Sequence, residues 1–207
     1  MCYSAEVSLI TFIIGCGFSI LLSTCKHKFH KLLGYFLGFV SLMQFIEFLL
    51  WRHQICDTYH KSLSVLGMIL NHAQPVILAC VTAYIYKQNI NVLAVITLIY
   101  LAIIIPYSMQ YTNALRCSMV TPGSGNPHLV WNWNTMSYSA YIYVIFLAAF
   151  VGIALFGMPL REGSSFAVVA VLTYAGSSLI YERKVVGSLW CFWTAFIPMI
   201  IYLLNYF

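Results

Sequence analysis

Charge is what this chain has least of. Ten Lys and Arg with five Asp and Glu make up 7% of its 207 residues, where a soluble domain carries about a quarter. With 62% of the residues apolar, no water-soluble fold hides the apolar surface, so the composition calls for a lipid solvent. The net charge of +5 is spread over short connections and forms no basic tract, which excludes nucleic-acid binding through a charged patch. No Cys-x-x-Cys or Cys/His pair has the spacing of a zinc site. Gly-x-Ser-x-Gly, His-Glu-x-x-His and a phosphate-binding loop are all missing. The last apolar run has no lysine for a retinal Schiff base. The sequence therefore predicts no catalytic set, no metal and no cofactor, and leans away from an enzyme.

Seven long apolar runs occupy most of the chain, at roughly 5–24, 32–51, 63–86, 90–109, 137–158, 164–182 and 188–206. Each is long enough to cross about 30 Å of hydrocarbon as a helix. The expected fold is all-α: a polytopic membrane helical bundle of seven transmembrane helices, forming one domain over 1–207. The only long connection, about 110–136, is expected on the non-cytosolic side. Within it Trp131-Asn132-Trp133-Asn134 reads as a short extended segment or an amphipathic cap at the lipid–water interface, where Trp is enriched. Met1 through Ala5 lead directly into the first run, with no basic n-region and no cleavage site, so that run is expected to act as the targeting signal. No internal repeat relates the first three spans to the last three, which argues against an inverted-repeat carrier.

Seven spans place the two termini on opposite sides. Arg52, Lys61, Arg116, Arg183 and Lys184 fall on the N-terminal side, and Lys26, Lys28, Lys31, Lys87 and Arg161 on the other, so the positive-inside count is tied. The three lysines of the first connection break the tie toward an N-terminus outside or lumenal and a C-terminus in the cytosol. Four of the seven cysteines then map to the N-terminal face: Cys2, Cys56, Cys117 and Cys191. One or two disulfides among them fit an oxidising compartment, with Cys56–Cys117 the first choice because it ties the two substantial connections of that face. The alternative is that these cysteines serve as small apolar residues.

The chemistry is concentrated in few positions. Gln44, Glu47 and Trp51 stand at i, i+3 and i+7 and share one helical face. Glu47 lies about 6 Å below the end of its span at 1.5 Å per residue. The next span carries Asn71-His72-Ala73-Gln74-Pro75 at comparable depth. An acid at membrane depth costs a few kcal/mol or more and is functional by default. One reading is a polar binding pocket of Gln44, Glu47, Trp51, Asn71, His72 and Gln74, open to the N-terminal face. Arg52 or Arg183 would be its ion-pair partner and His72 a proton relay. The other is a structural network in which Glu47 hydrogen-bonds Asn71 or Gln74 and locks helix packing.

The opening Met1-Cys2-Tyr3-Ser4-Ala5-Glu6-Val7-Ser8 resembles the start of an uncharacterised family of small multi-pass membrane proteins from large DNA viruses and microbial eukaryotes. Gln44…Glu47…Trp51, Gln74-Pro75 and Ser188-Leu189-Trp190-Cys191 are similar to motifs of that family. The resemblance implies a viral or algal membrane setting and brings no activity with it. The functional expectation is a small-solute or proton-coupled transporter or channel in a lipid bilayer. The alternatives are a structural or assembly protein of a viral or organelle membrane, and a membrane-embedded lipid-binding protein or enzyme. The expected partners are the lipid bilayer, a small solute, protons or lipid, and further copies of the chain in a homo-oligomer.

Overall fold

The computed structural model describes the backbone of residues 4–114, 117–120, 129–180 and 183–206, and their side chains except at 114, 180, 183–189 and 205–206. The architecture is all-helical: α1 (Ala5–Ser23), α2 (Lys28–Arg52), α3 (Thr58–Tyr86), α4 (Ile90–Ala114), α5 (Ser139–Gly157), α6 (Leu160–Ile180) and α7 (Arg183–Tyr206), with a 3-10 turn at Asn132–Thr135. Among the described residues no strand forms, only an isolated antiparallel bridge between Val120 and Leu129. Among the described residues five helices, α1 to α5, are long and apolar enough to cross a membrane. In α6 the first turn holds Arg161 and Glu162, and in α7 the described apolar stretch is the shorter Trp190–Leu204.

Local chemistry sets the ends. The Ser4 hydroxyl accepts from the Val7 amide at 3.3 Å and caps α1. Asp57 accepts from the His60 amide at 2.9 Å, a side-chain cap that starts α3 five residues before the apolar run alone suggests. α3 continues through Pro75 and stops at Lys87, which adopts a left-handed φ of 55°. Asn89 follows at φ 50°, a conformation that asparagine tolerates better than most residues.

α2 packs against α1, α3 and α7, and α5 against α3, α4 and α6, while α6 meets α7 only lightly. The α1–α2 seam is built from small residues: a Cβ on Gly34 would lie 2.7 Å from the Ser19 carbonyl oxygen and 2.5 Å from the Ser23 nitrogen. Only glycine permits that approach, which brings the two backbones into van der Waals contact. At the centre Phe146 packs on Phe150 at 4.8 Å between centroids, with Trp190 edge-on to both.

Within the fourth connection, the Trp131–Asn134 segment differs from the surface cap that its sequence suggests. The residues at Trp131–Asn134 fold inward, and Trp131 and Trp133 are 0% and 1% exposed. Their rings lie 4.2 Å apart between centroids, and Trp131 fits over Gly67 of α3, where an added Cβ would meet the indole at 2.9 Å. The Tyr107 hydroxyl of α4 donates to the Trp133 carbonyl at 2.6 Å. The segment is a plug in the N-terminal end of the bundle, not a cap lying on its rim. Two indoles bury more apolar area inside a bundle than at its edge, and Gly67 leaves the room.

Candidate functional site

The polar residues of α2 and α3 lie inside the bundle. Gln44, Glu47 and Gln74 are 0% exposed, Asn71 is 2% and His72 5%. They do not all meet, because neighbouring positions on α3 point to different helices. Gln74 reaches α7, its amide 3.8 Å from the Cys191 sulfur, and the Glu47 carboxyl lies within electrostatic reach of the same sulfur. Glu47, Gln74 and Cys191 therefore form one group where α2, α3 and α7 converge. Asn71 turns to α5, with its amide 3.5 Å from the Tyr143 hydroxyl. That hydroxyl donates to Asn134 Oδ1 of the plug at 2.6 Å. His72 faces α4: its Nδ1 is 2.9 Å from Ser108 Oγ, and its carbonyl accepts from the Tyr100 hydroxyl at 2.8 Å.

Leu129, Trp131 and Trp133 are buried too, Trp131 closing on Gly67 of α3 beside Ile46 of α2, and the plug is anchored by Tyr107 and Tyr143. Three buried polar atoms of the set, Trp51 Nε1, His72 Nε2 and Gln74 Oε1, have no hydrogen-bond partner among the described residues. Of the two candidate cations, Arg52 is exposed and its charge acts on Glu6. The Arg183 side chain lies outside the described residues, as does Cys2.

The connection α2–α3 and the segment around 117–120 are fastened together. Cys56 and Cys117 form a disulfide with Cα atoms 5.8 Å apart. Cys191 is free and buried, so its expected place among the disulfide candidates is corrected. α7 starts at Arg183, which puts Cys191 eight residues, about 12 Å, inside the bundle. The sequence reading missed His60. Placed in a connection by its polarity, it is fully buried one turn into α3, with Nε2 2.8 Å from the Ser118 carbonyl and Nδ1 on the His53 carbonyl. The Ser118 amide in turn donates to Ser64 Oγ at 2.9 Å. The signal for this latch was Asp57 preceding Thr58, a helix cap that brings His60 onto the first turn.

Among the described residues no three His, Cys, Asp or Glu side chains gather as a metal site would require. The fold and its interior define a class: an all-helical bundle with several helices apolar enough to cross a membrane and a buried acid in its interior. Beyond that class the chain matches no family model, no curated protein and no solved structure.

Proposed function

We propose that the chain is a multi-pass membrane protein of seven spans that passes a proton or small polar solute through the Glu47 group, and that the plug holds it closed. α6 and α7, at 21 and 24 residues, reach about 31 and 36 Å at 1.5 Å per residue, enough for a span each. The disulfide favours an oxidising compartment on the N-terminal side, and the lysines of the α1–α2 connection favour cytosol on the other.

The observation that carries the reading is the fully buried Glu47 carboxyl grouped with Gln74, whose Oε1 has no hydrogen-bond partner among the described residues. A buried polar group left without a partner costs about 1–3 kcal/mol, and a translocated species or its water would meet it. The gate would be Trp131 and Trp133, which must withdraw for Glu47 to meet the N-terminal side.

The test is proton flux into vesicles of the reconstituted protein, read with a trapped pH-sensitive dye. Glu47→Gln, nearly the same shape, should abolish flux while the thermal midpoint stays within a few degrees. Flux unchanged by Glu47→Gln, or none from the wild type under an imposed gradient of protons or small cations, overturns the reading. One observation favours a second reading, a structural membrane protein: Glu47 and Gln44 have no exposed surface at all. Loss of stability in Glu47→Gln with no wild-type flux would select it.

A further inference from the structure

A cavity lies away from Glu47, where α6 leans on α5 and stands off α2 and α7. It encloses about 160 Å³. Its walls include Phe29 and Leu33 of α2, Phe166 and Ala170 of α6, and Trp190 and Ile201 of α7. Three hydroxyls reach it, and each is taken by its own surroundings. Ser165 donates to the Arg161 carbonyl at 2.7 Å. Thr173 donates to the Val169 carbonyl at 2.7 Å and accepts from Trp190 Nε1 at 2.9 Å. Thr194 donates to the Trp190 carbonyl at 2.9 Å. The walls thus present hydrocarbon and satisfied polar atoms, a lining that selects an apolar chain over a polar solute.

The cleft has a direction. Phe29, Ser165 and Ile201 belong to the end of the bundle where α2 and α6 begin, and Thr173 and Trp190 lie deeper. From Ser165 to Thr173 along α6 is about 12 Å. The shallow end is basic: Lys26 and Lys28 precede Phe29, and Arg161 stands one turn before Ser165, all three exposed. The acid there, Glu162, is engaged by the Tyr86 hydroxyl and by His27 at 4.0 Å. Basic residues beside an apolar cleft between helices match a lipid with a negative headgroup.

We propose that this cleft binds one acyl chain of an anionic phospholipid from the adjoining leaflet, with the phosphate met by Lys26, Lys28 and Arg161. The site shares only the bilayer with the Glu47 reading and stands whether or not Glu47 moves a proton.

The test uses the full chain in phosphatidylcholine vesicles doped with brominated phosphatidylglycerol or brominated phosphatidylcholine, bromine near the middle of the acyl chain. The readout is the part of the tryptophan emission that Trp190→Phe removes. Brominated phosphatidylglycerol should quench that part at about a tenth of the mole fraction that phosphatidylcholine needs. Replacing Lys26, Lys28 and Arg161 by Ala should bring the two lipids level, and Ala170→Phe, which fills the cleft, should remove the quenching. Equal quenching by both lipids in the wild type, a preference that survives loss of the three bases, or quenching untouched by Ala170→Phe overturns the proposal. If Trp190→Phe does not fold, the rise in thermal midpoint on adding phosphatidylglycerol rather than phosphatidylcholine to the detergent-solubilised protein gives the same comparison. A rise equal for both lipids, or kept in Ala170→Phe, overturns it equally.

Discussion

The two ends of the bundle are closed by different means. At the N-terminal end a covalent bond between Cys56 and Cys117, the buried His60 and the Trp131 indole seated over Gly67 lock the long connection to α3. At the other end the closure is a pair of side-chain amides. Asn89 Nδ2 donates to the Phe156 carbonyl at 2.7 Å and Gln88 Nε2 to the Gly157 carbonyl at 3.1 Å, which ties the α3–α4 turn to the end of α5. One end is thus a deep apolar seal with a covalent strap, the other a shallow polar stitch beside an open cleft. Large buried side chains and cross-links carry most of the energy of such closures, and single hydrogen bonds carry little.

The contrast is broken most severely at Gly67. A leucine there drives its branch into the Trp131 ring and Ile46, so the plug must leave. Losing a buried aromatic costs about 3 kcal/mol, or roughly 6–12 °C of midpoint in a chain of this size, and Trp emission should shift to the red. Gly17→Leu is the control: a Cβ at Gly17 meets nothing within 4 Å, so little change is expected. Equal losses in the two variants would mean that the plug is not a packed element.

Next in size is the strap. Cys117→Ser, or reductant on the wild type, opens a loop of sequence separation 61 and should cost about 2 kcal/mol, read as a lower midpoint. At the far end Asn89→Gly removes one hydrogen bond and keeps a residue that accepts φ 50° without strain. Its expected cost is under about 1 kcal/mol. An Asn89→Gly loss larger than that of Cys117→Ser would reverse the ranking of the two ends.

Helix placement was legible because each helix is an apolar run bounded by charged or turn residues, and the spans read from the sequence lie within a few residues of α1 to α7. The starts of α3 and α7 were not, since a polar first turn such as Thr58–Lys61 leaves no apolar trace. The plug was legible as unusual and misread in position: Trp suits both an interface and a core, and only Gly67, some sixty residues away in the chain, decides between them. The polar face of Gln44 and Glu47 was visible from spacing alone. The divergence of Asn71, His72 and Gln74 toward α5, α4 and α7 was not, because it depends on which helices stand around α3. The α2–α6–α7 cleft left no mark, since its lining reads as ordinary apolar span.

The smallest expected effect concerns the α3 cap beneath the strap, and it has a sign. Asp57 accepts from the His60 amide and from His53 Nε2, each at 2.9 Å. The His60 amide, followed by the His53 contacts, holds its carboxyl below the usual aspartate value of 3.8. A carboxyl with a depressed folded value contributes stability above its unfolded value and loses it as pH falls through the folded one. Asparagine caps a helix about as well but does not titrate. The wild type should therefore melt slightly above Asp57→Asn at about pH 6, and the gap should close as pH falls below the usual aspartate value of 3.8. Because Asp57 is exposed, solvent and salt screen its contacts, and the gap should shrink further in high salt. A gap that stays constant through the acid range would show that the cap works through its shape alone and that charge adds nothing at this end.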